Sequence, residues 1–302
     1  MARRVSILGV PSSLGAYAQG QEGAPRALRE AGLVERLQAS GLEVEDRGDS
    51  EVMKWRPDRD YPYAQNLFGV VRVVDETARR VTKTVKAGEF ALVLGGDCTV
   101  GIGMVKGVAS LGSVGLVYFD LHADLNTPSS VADGALDWMG VAHMLAVEGA
   151  EPGLRDVAGK KPLLRPQDMV VFAHDERRMT AWEREQIEKL KLRLFSVPEV
   201  KADPRAAAAG ALEALGGSYE RLVVHFDTDV VDFTDAPLSE HTGRNTGVSL
   251  ATALDALAAL LADPRVVALT ITEINPLHAA ADPTALPRLI DGVARAIAAG
   301  GD

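Results

Sequence analysis

The chain has 302 residues, 47% of them hydrophobic and 25% charged, the balance of an ordinary globular protein long enough to bury a substantial core. A formal net charge of −10 argues against a nucleic-acid or anionic-membrane partner, and no window reaches the roughly 18 apolar residues of a membrane span. A single cysteine excludes an internal disulfide framework and suits a reducing, cytoplasmic compartment.

Taken in chain order, the Arg3-Arg4 pair precedes only about five apolar residues, too few for a signal peptide, so residues 5–9 read as a first strand. A glycine-rich loop over 9–23 leads to Ala24-Pro25, with proline in the first turn of a helix over 24–38. Further strands are expected at 42–46, 90–95, 114–120, 169–172, 192–197, 221–227 and 266–273. Helices are expected at 65–86, 182–191, 206–215, 249–261 and 283–299. The middle strands are apolar nearly throughout, which suits a parallel sheet covered on both faces. Alternation of β and α along the whole length predicts one α/β unit with no linker, over residues 1–302.

Four segments carry polar or acidic residues at the C-terminal end of a buried strand: GGDC (Cys98), FDLHADLNTP (Asp120, His122, Asp124, Asn126), HFDTDVVD (Asp227, Asp229, Asp232) and ITEINP (Glu273, Asn275). Ligands of open parallel sheets bind in the crevice beyond those ends. In an extended chain residues two apart face the same way, so Asp120, His122 and Asp124 point at one spot, and Asp227 with Asp229 repeats the pattern. Carboxylates gathered so closely repel one another unless cations sit between them. Oxygen ligands with one imidazole favour manganese over zinc.

In combination these four blocks resemble those of the arginase and agmatinase ureohydrolases, and the opening GVPSSLGAYAQGQEGAPRALREAGL is similar to the arginase N-terminus. The resemblance runs from about Val5 to the last helix. It implies a three-layer α/β/α fold on an eight-stranded parallel sheet, two Mn2+ ions, hydrolysis of a small guanidino or amidino substrate, and a homo-oligomer, trimer or hexamer. It implies that Asp120 and Asp227 bridge the two ions, with Asp124 on one and His122 and Asp229 on the other. Asp124 would also hold the hydroxide and pass its proton to the leaving amine. Glu273 would grip the guanidinium, and Asn126 would meet the amino-acid end of the substrate.

The chain departs from that pattern in three places. Cys98 stands where the family has histidine; it is either a small apolar filler or a sulfur ligand, and its place at a helix start favours a thiolate. We expect it to bind the metal, as in ureohydrolases acting on N-hydroxyarginine, which carry cysteine there. Five anionic ligands would then face four positive charges, weakening the ions' pull on water and favouring a less basic guanidine. Met139 stands where arginases carry a proton-transfer histidine; His143, four residues on, is expected on the outside of a helix, and Asp133 and Asp137 either contact an amino-acid head group or are solvated. Arg244 is either a receptor for a substrate carboxylate or a surface residue, and Asp175 fits the place where arginases hold the substrate α-amino group. Hydrolysis of a formimino group, and a silent binding protein, remain the alternatives.

Overall fold

A computed structural model of the chain describes residues 3–157, 159 and 162–301. Eight parallel strands form one sheet: β1 Arg4–Gly9, β2 Glu43–Asp49, β3 Phe90–Leu94, β4 Val114–Phe119, β5 Met169–His174, β6 Arg193–Ser196, β7 Arg221–Asp227 and β8 Val266–Thr272, in the order β2-β1-β3-β8-β7-β4-β5-β6. The α-helices are α1 Ala24–Glu30, α2 Leu33–Ala39, α3 Leu67–Lys86, α4 Val100–Ala109, α5 Gly140–Met144, α6 Pro152–Arg155, α7 Ala181–Leu190, α8 Val197–Ala202, α9 Pro204–Leu215, α10 Leu250–Leu261, α11 Pro276–Ala279 and α12 Ala285–Ala299. Among the described residues no helix is long and apolar enough to cross a membrane.

The period-two alternation of the strands divides their side chains between two cores. Leu92, Val117, Phe119, Val224 and Phe226 pack with α1, α2, α9, α10 and α12 on one face. Val93, Leu116, Tyr118 and Val223 pack with α3 and α4 on the other. Sheet and two helical layers make the three-layer α/β/α sandwich expected.

Several bounds change: β2 runs on to Asp49 and β5 to His174, and two further changes have a backbone cause. The helix expected over 24–38 is two, α1 and α2, because Gly32 takes a left-handed conformation (φ 91°) between them. The last strand stops at Thr272, since Glu273 has φ 66°, turning the chain out of the sheet. The four strands that carry the acidic blocks are consecutive neighbours, β3-β8-β7-β4, so their C-terminal ends meet at the middle of one edge of the sheet.

Candidate metal centre and substrate cleft

Cys98 lies in the turn between β3 and α4. Its position depends on Gly96, where an added Cβ would sit 1.7 Å from the backbone oxygen of Ser12, so the loop after β1 packs directly on the turn. Asp97 fixes the same junction, accepting from Gly15 N at 3.1 Å and Thr99 N at 3.0 Å. The backbone N–H of Cys98 donates to Glu273 Oε1 at 3.0 Å, and its Sγ donates to Asp227 Oδ2 at 2.9 Å. Glu273 also accepts from Gln21 Nε2.

The strand ends hold the other groups. Asp120, fully buried, accepts from the backbone of His122 at 2.6 Å through Oδ1, while its Oδ2 has no partner. His122 Nδ1 is 2.9 Å from Asp229 Oδ2, and Asp229 Oδ1 is buried without a partner. Asp227 accepts from the backbone of Asp229 at 2.7 Å. Among the described residues two groups bring potential ligand atoms within 4.8 Å of one another: Cys98, Asp120, His225 and Asp227, and Asp120, His122 and Asp229, sharing Asp120. Asp124 belongs to neither; it has φ 49°, takes a hydrogen bond from the Tyr118 hydroxyl and faces the same cleft.

The electrostatics are those of acids crowded away from water. Burial, then the neighbouring carboxylates, push Asp227, Asp124 and Glu273 well above the usual carboxylate range, and Asp120 to about 6. Burial disfavours a charge on His122, yet Asp229 and Asp120 outweigh it and raise its pKa well above the ordinary value. Burial followed by the carboxylates of Asp227, Glu273, Asp120 and Asp124 also raises the Cys98 thiol, overriding the thiolate preference expected of a helix start. Two orphaned carboxylate oxygens and a set of mutually repelling acids fit divalent cations, which would satisfy the lone pairs and reverse those shifts.

Above this cluster lies a cleft of about 320 Å³. Its wall includes Tyr17, Asp133, Asp137, Trp138, Arg178, Glu183, Glu240 and His241 beside the candidate ligands. Several expected residues stand elsewhere. Asp175 is ion-paired with Arg177 at 2.6 Å within its own loop. Arg244 is exposed, its guanidinium 5.0 Å from the centre of the Phe233 ring, and does not line the cleft. Asn126 is buried, its oxygen accepting from Thr180 Oγ1 at 3.0 Å and Ser130 Oγ at 3.2 Å, so it braces the loop. His143 is buried, not outward-facing, with Nδ1 2.6 Å from Met139 O. Asp232 ties its loop by accepting from Thr234 N at 2.8 Å.

Sequence reasoning missed Arg178, Glu183, Tyr118 and His225. Tyr118 and His225 stand two residues before Asp120 and Asp227, on the same strand faces, so the spacing that singled out the acids extends to them. Arg178 and Glu183 carried no such signal.

A model of the arginase family matches residues 3–289 of this chain. An arginase of Brevibacillus brevis is 30% identical over 239 residues, 78% of this chain and 79% of that protein. The crystal structure of arginase from Bacillus cereus superposes with a TM-score of 0.84 at 25% identity, over 99% of each chain. Formimidoylglutamase from Bacillus subtilis is similar in fold alone, with a TM-score of 0.71 at 16% identity over 99% of this chain and 86% of that one. The chain belongs to the arginase family.

Proposed function

We propose that this chain is a dinuclear manganese amidinohydrolase whose substrate is an arginine-like amino acid with a modified, less basic guanidine, N-hydroxyarginine being the first candidate. Members of the arginase family are hydrolases acting on amidino or guanidino groups, and this chain is one of them. The observation that carries the reading is the convergence of Cys98, Asp120, His122, Asp227 and Asp229, with two unpartnered carboxylate oxygens, beneath a cleft lined by acids and one arginine.

Asp120, Asp124, Asp227, Asp229, His122 and Cys98 would hold the ions. Two divalent cations there would supply Lewis acidity and make water acidic enough to act near neutral pH. Glu273, buried and lining the cleft, would accept the guanidinium N–H groups in place of the contacts it now makes with Gln21 and the Cys98 amide. Asp124 is held in one orientation by the Tyr118 hydroxyl, and from there it would pass a proton to the departing amine. Arg178, the arginine of the cleft wall, would take a substrate carboxylate, whereas Arg244 and Asn126 do not line the cleft. Asp133, Asp137 and Glu240, on the same wall, would meet a substrate ammonium. The negative wall as a whole draws cationic substrates inward.

A screen of guanidino and formimino compounds with manganese, read by amine release and by the carbonyl product, tests this. N-hydroxyarginine, giving hydroxyurea and an amine, should be turned over at least about tenfold more efficiently than arginine. Equal turnover of arginine, formamide from a formimino substrate, or no turnover at all would overturn the substrate assignment.

A further inference from the structure

We infer that His225 is a ligand to the ion that Cys98 holds, adding an imidazole nitrogen to the sulfur and carboxylate oxygens there. The inference deepens the metal-centre reading above and rests on it.

His225 is on β7, two residues before Asp227 and on the same face of the strand. Its ring is fixed on both sides. Tyr118 of neighbouring β4 stacks on it with ring centroids 4.5 Å apart and planes 6° from parallel. Gly101 of α4 leaves room for its other edge: a Cβ there would come within 2.5 Å of Nδ1. A ring nitrogen of His225 lies within 4.8 Å of ligand atoms of Cys98, Asp120 and Asp227, which lie equally close to one another. Four donors about 2.0–2.3 Å from a common ion stand at such separations.

The bland alternative is a core histidine satisfied by its neighbours, and His225 is not satisfied. It is fully buried, its Nδ1 has no partner, and its Nε2 has only a long contact, 3.4 Å, with Thr272 Oγ1. A buried polar group left so is destabilising. A metal bond uses one of its nitrogens.

The consequence is chemical inequality between the two positions. Cys98 and His225 bring soft and borderline donors to one; Asp120, His122 and Asp229 make the other harder. The first position should therefore prefer cobalt or zinc, and the second manganese.

The test uses the whole protein labelled with ¹⁵N-histidine and loaded with cobalt(II). Metal-bound imidazoles give ring resonances far outside the diamagnetic range. Two of the six histidines, His122 and His225, should be shifted so. His225→Phe should remove one of them and weaken one of two cobalt affinities by about tenfold or more, leaving the other unchanged. Thr272→Val, which removes the long hydroxyl contact and keeps the ring, should retain both resonances. If His225→Phe does not fold, wild type and Thr272→Val decide the question. Two cobalt ions bound with only one shifted histidine would overturn this inference and leave the metal centre standing. Failure to bind cobalt or manganese would overturn both.

Discussion

Arg177 donates to Asp175 through Nε at 2.9 Å and through Nη2 at 2.6 Å, so this acid is neutralised by its own loop before any substrate arrives. The pairing holds the Asp175 carboxyl below its usual range, chiefly through the Arg177 hydrogen bonds. Arg178, the next residue, turns instead into the cleft. Arg178→Ala should raise KM about 10–100-fold for a guanidino amino acid, as expected for loss of a charge-assisted bond, with kcat largely kept. A decarboxylated analogue should show no such loss, and Asp175→Asn should change KM less than about threefold. Steady-state kinetics on the two variants checks both; equal KM for wild type and Arg178→Ala would remove Arg178 from the site.

Cys98 joins the turn after β3 to Asp227 on β7 and to Glu273 after β8. A cobalt(II)-loaded protein should show a thiolate-to-cobalt absorption band in the near ultraviolet. Cys98→Ser should abolish the band and weaken binding of one ion by about tenfold or more. Absence of the band in the wild type would show that the sulfur stays a thiol beside the ions.

Gly96→Ala tests the packing that sets this turn. The new methyl would strike the backbone oxygen of Ser12, which no side-chain rotation can move aside. Denaturant titration should show a loss of about 3 kcal/mol or more, or an unfolded variant. An unchanged midpoint would mean that the two loops can separate freely.

Glu89 supplies a pH-dependent contribution away from the site. It is buried just before β3 and accepts from Ser6 Oγ at 2.6 Å, Arg47 at 2.8 Å and Arg4 at 2.9 Å. The Ser6 hydrogen bond first, then the two arginines against the opposing effect of burial, lower its pKa. A carboxylate with a depressed folded pKa stabilises fully above its unfolded value, near 4.3, and loses that contribution as pH falls through the folded value. Glu89→Gln should therefore cost about 1.5–3 kcal/mol at pH 7, and the gap from wild type should narrow below about pH 4. A gap that stays constant from pH 7 to pH 3 would exclude the ionised carboxylate as its source.

The fold was legible because β-branched apolar runs such as Leu-Val-Val in β7 cannot be half-exposed, and the alternation with amphipathic helices leaves one economical arrangement. The break at Gly32 was hidden because the apolar spacing runs on from Leu28 through Leu33 to Leu37; only the backbone angle shows the stop. The acidic ligand candidates were legible since two-residue spacing acts through the strand itself. Asp175, Arg244 and Asn126 were not, because each is defined by a partner: Arg177, Phe233, and Thr180 with Ser130. His143 was misjudged for a related reason: α5 spans only Gly140–Met144 and is buried on all sides, so it has no outer face.

The buried acids at the ends of β4 and β7 serve to hold two cations. Metal analysis of protein dialysed against manganese, paired with its thermal midpoint, tests that claim directly. About two manganese ions per chain should be found, with a midpoint that rises with free manganese until the sites fill, and both effects should be lost in Asp120→Asn, the residue common to both groups. A metal-free protein whose midpoint ignores manganese would contradict it.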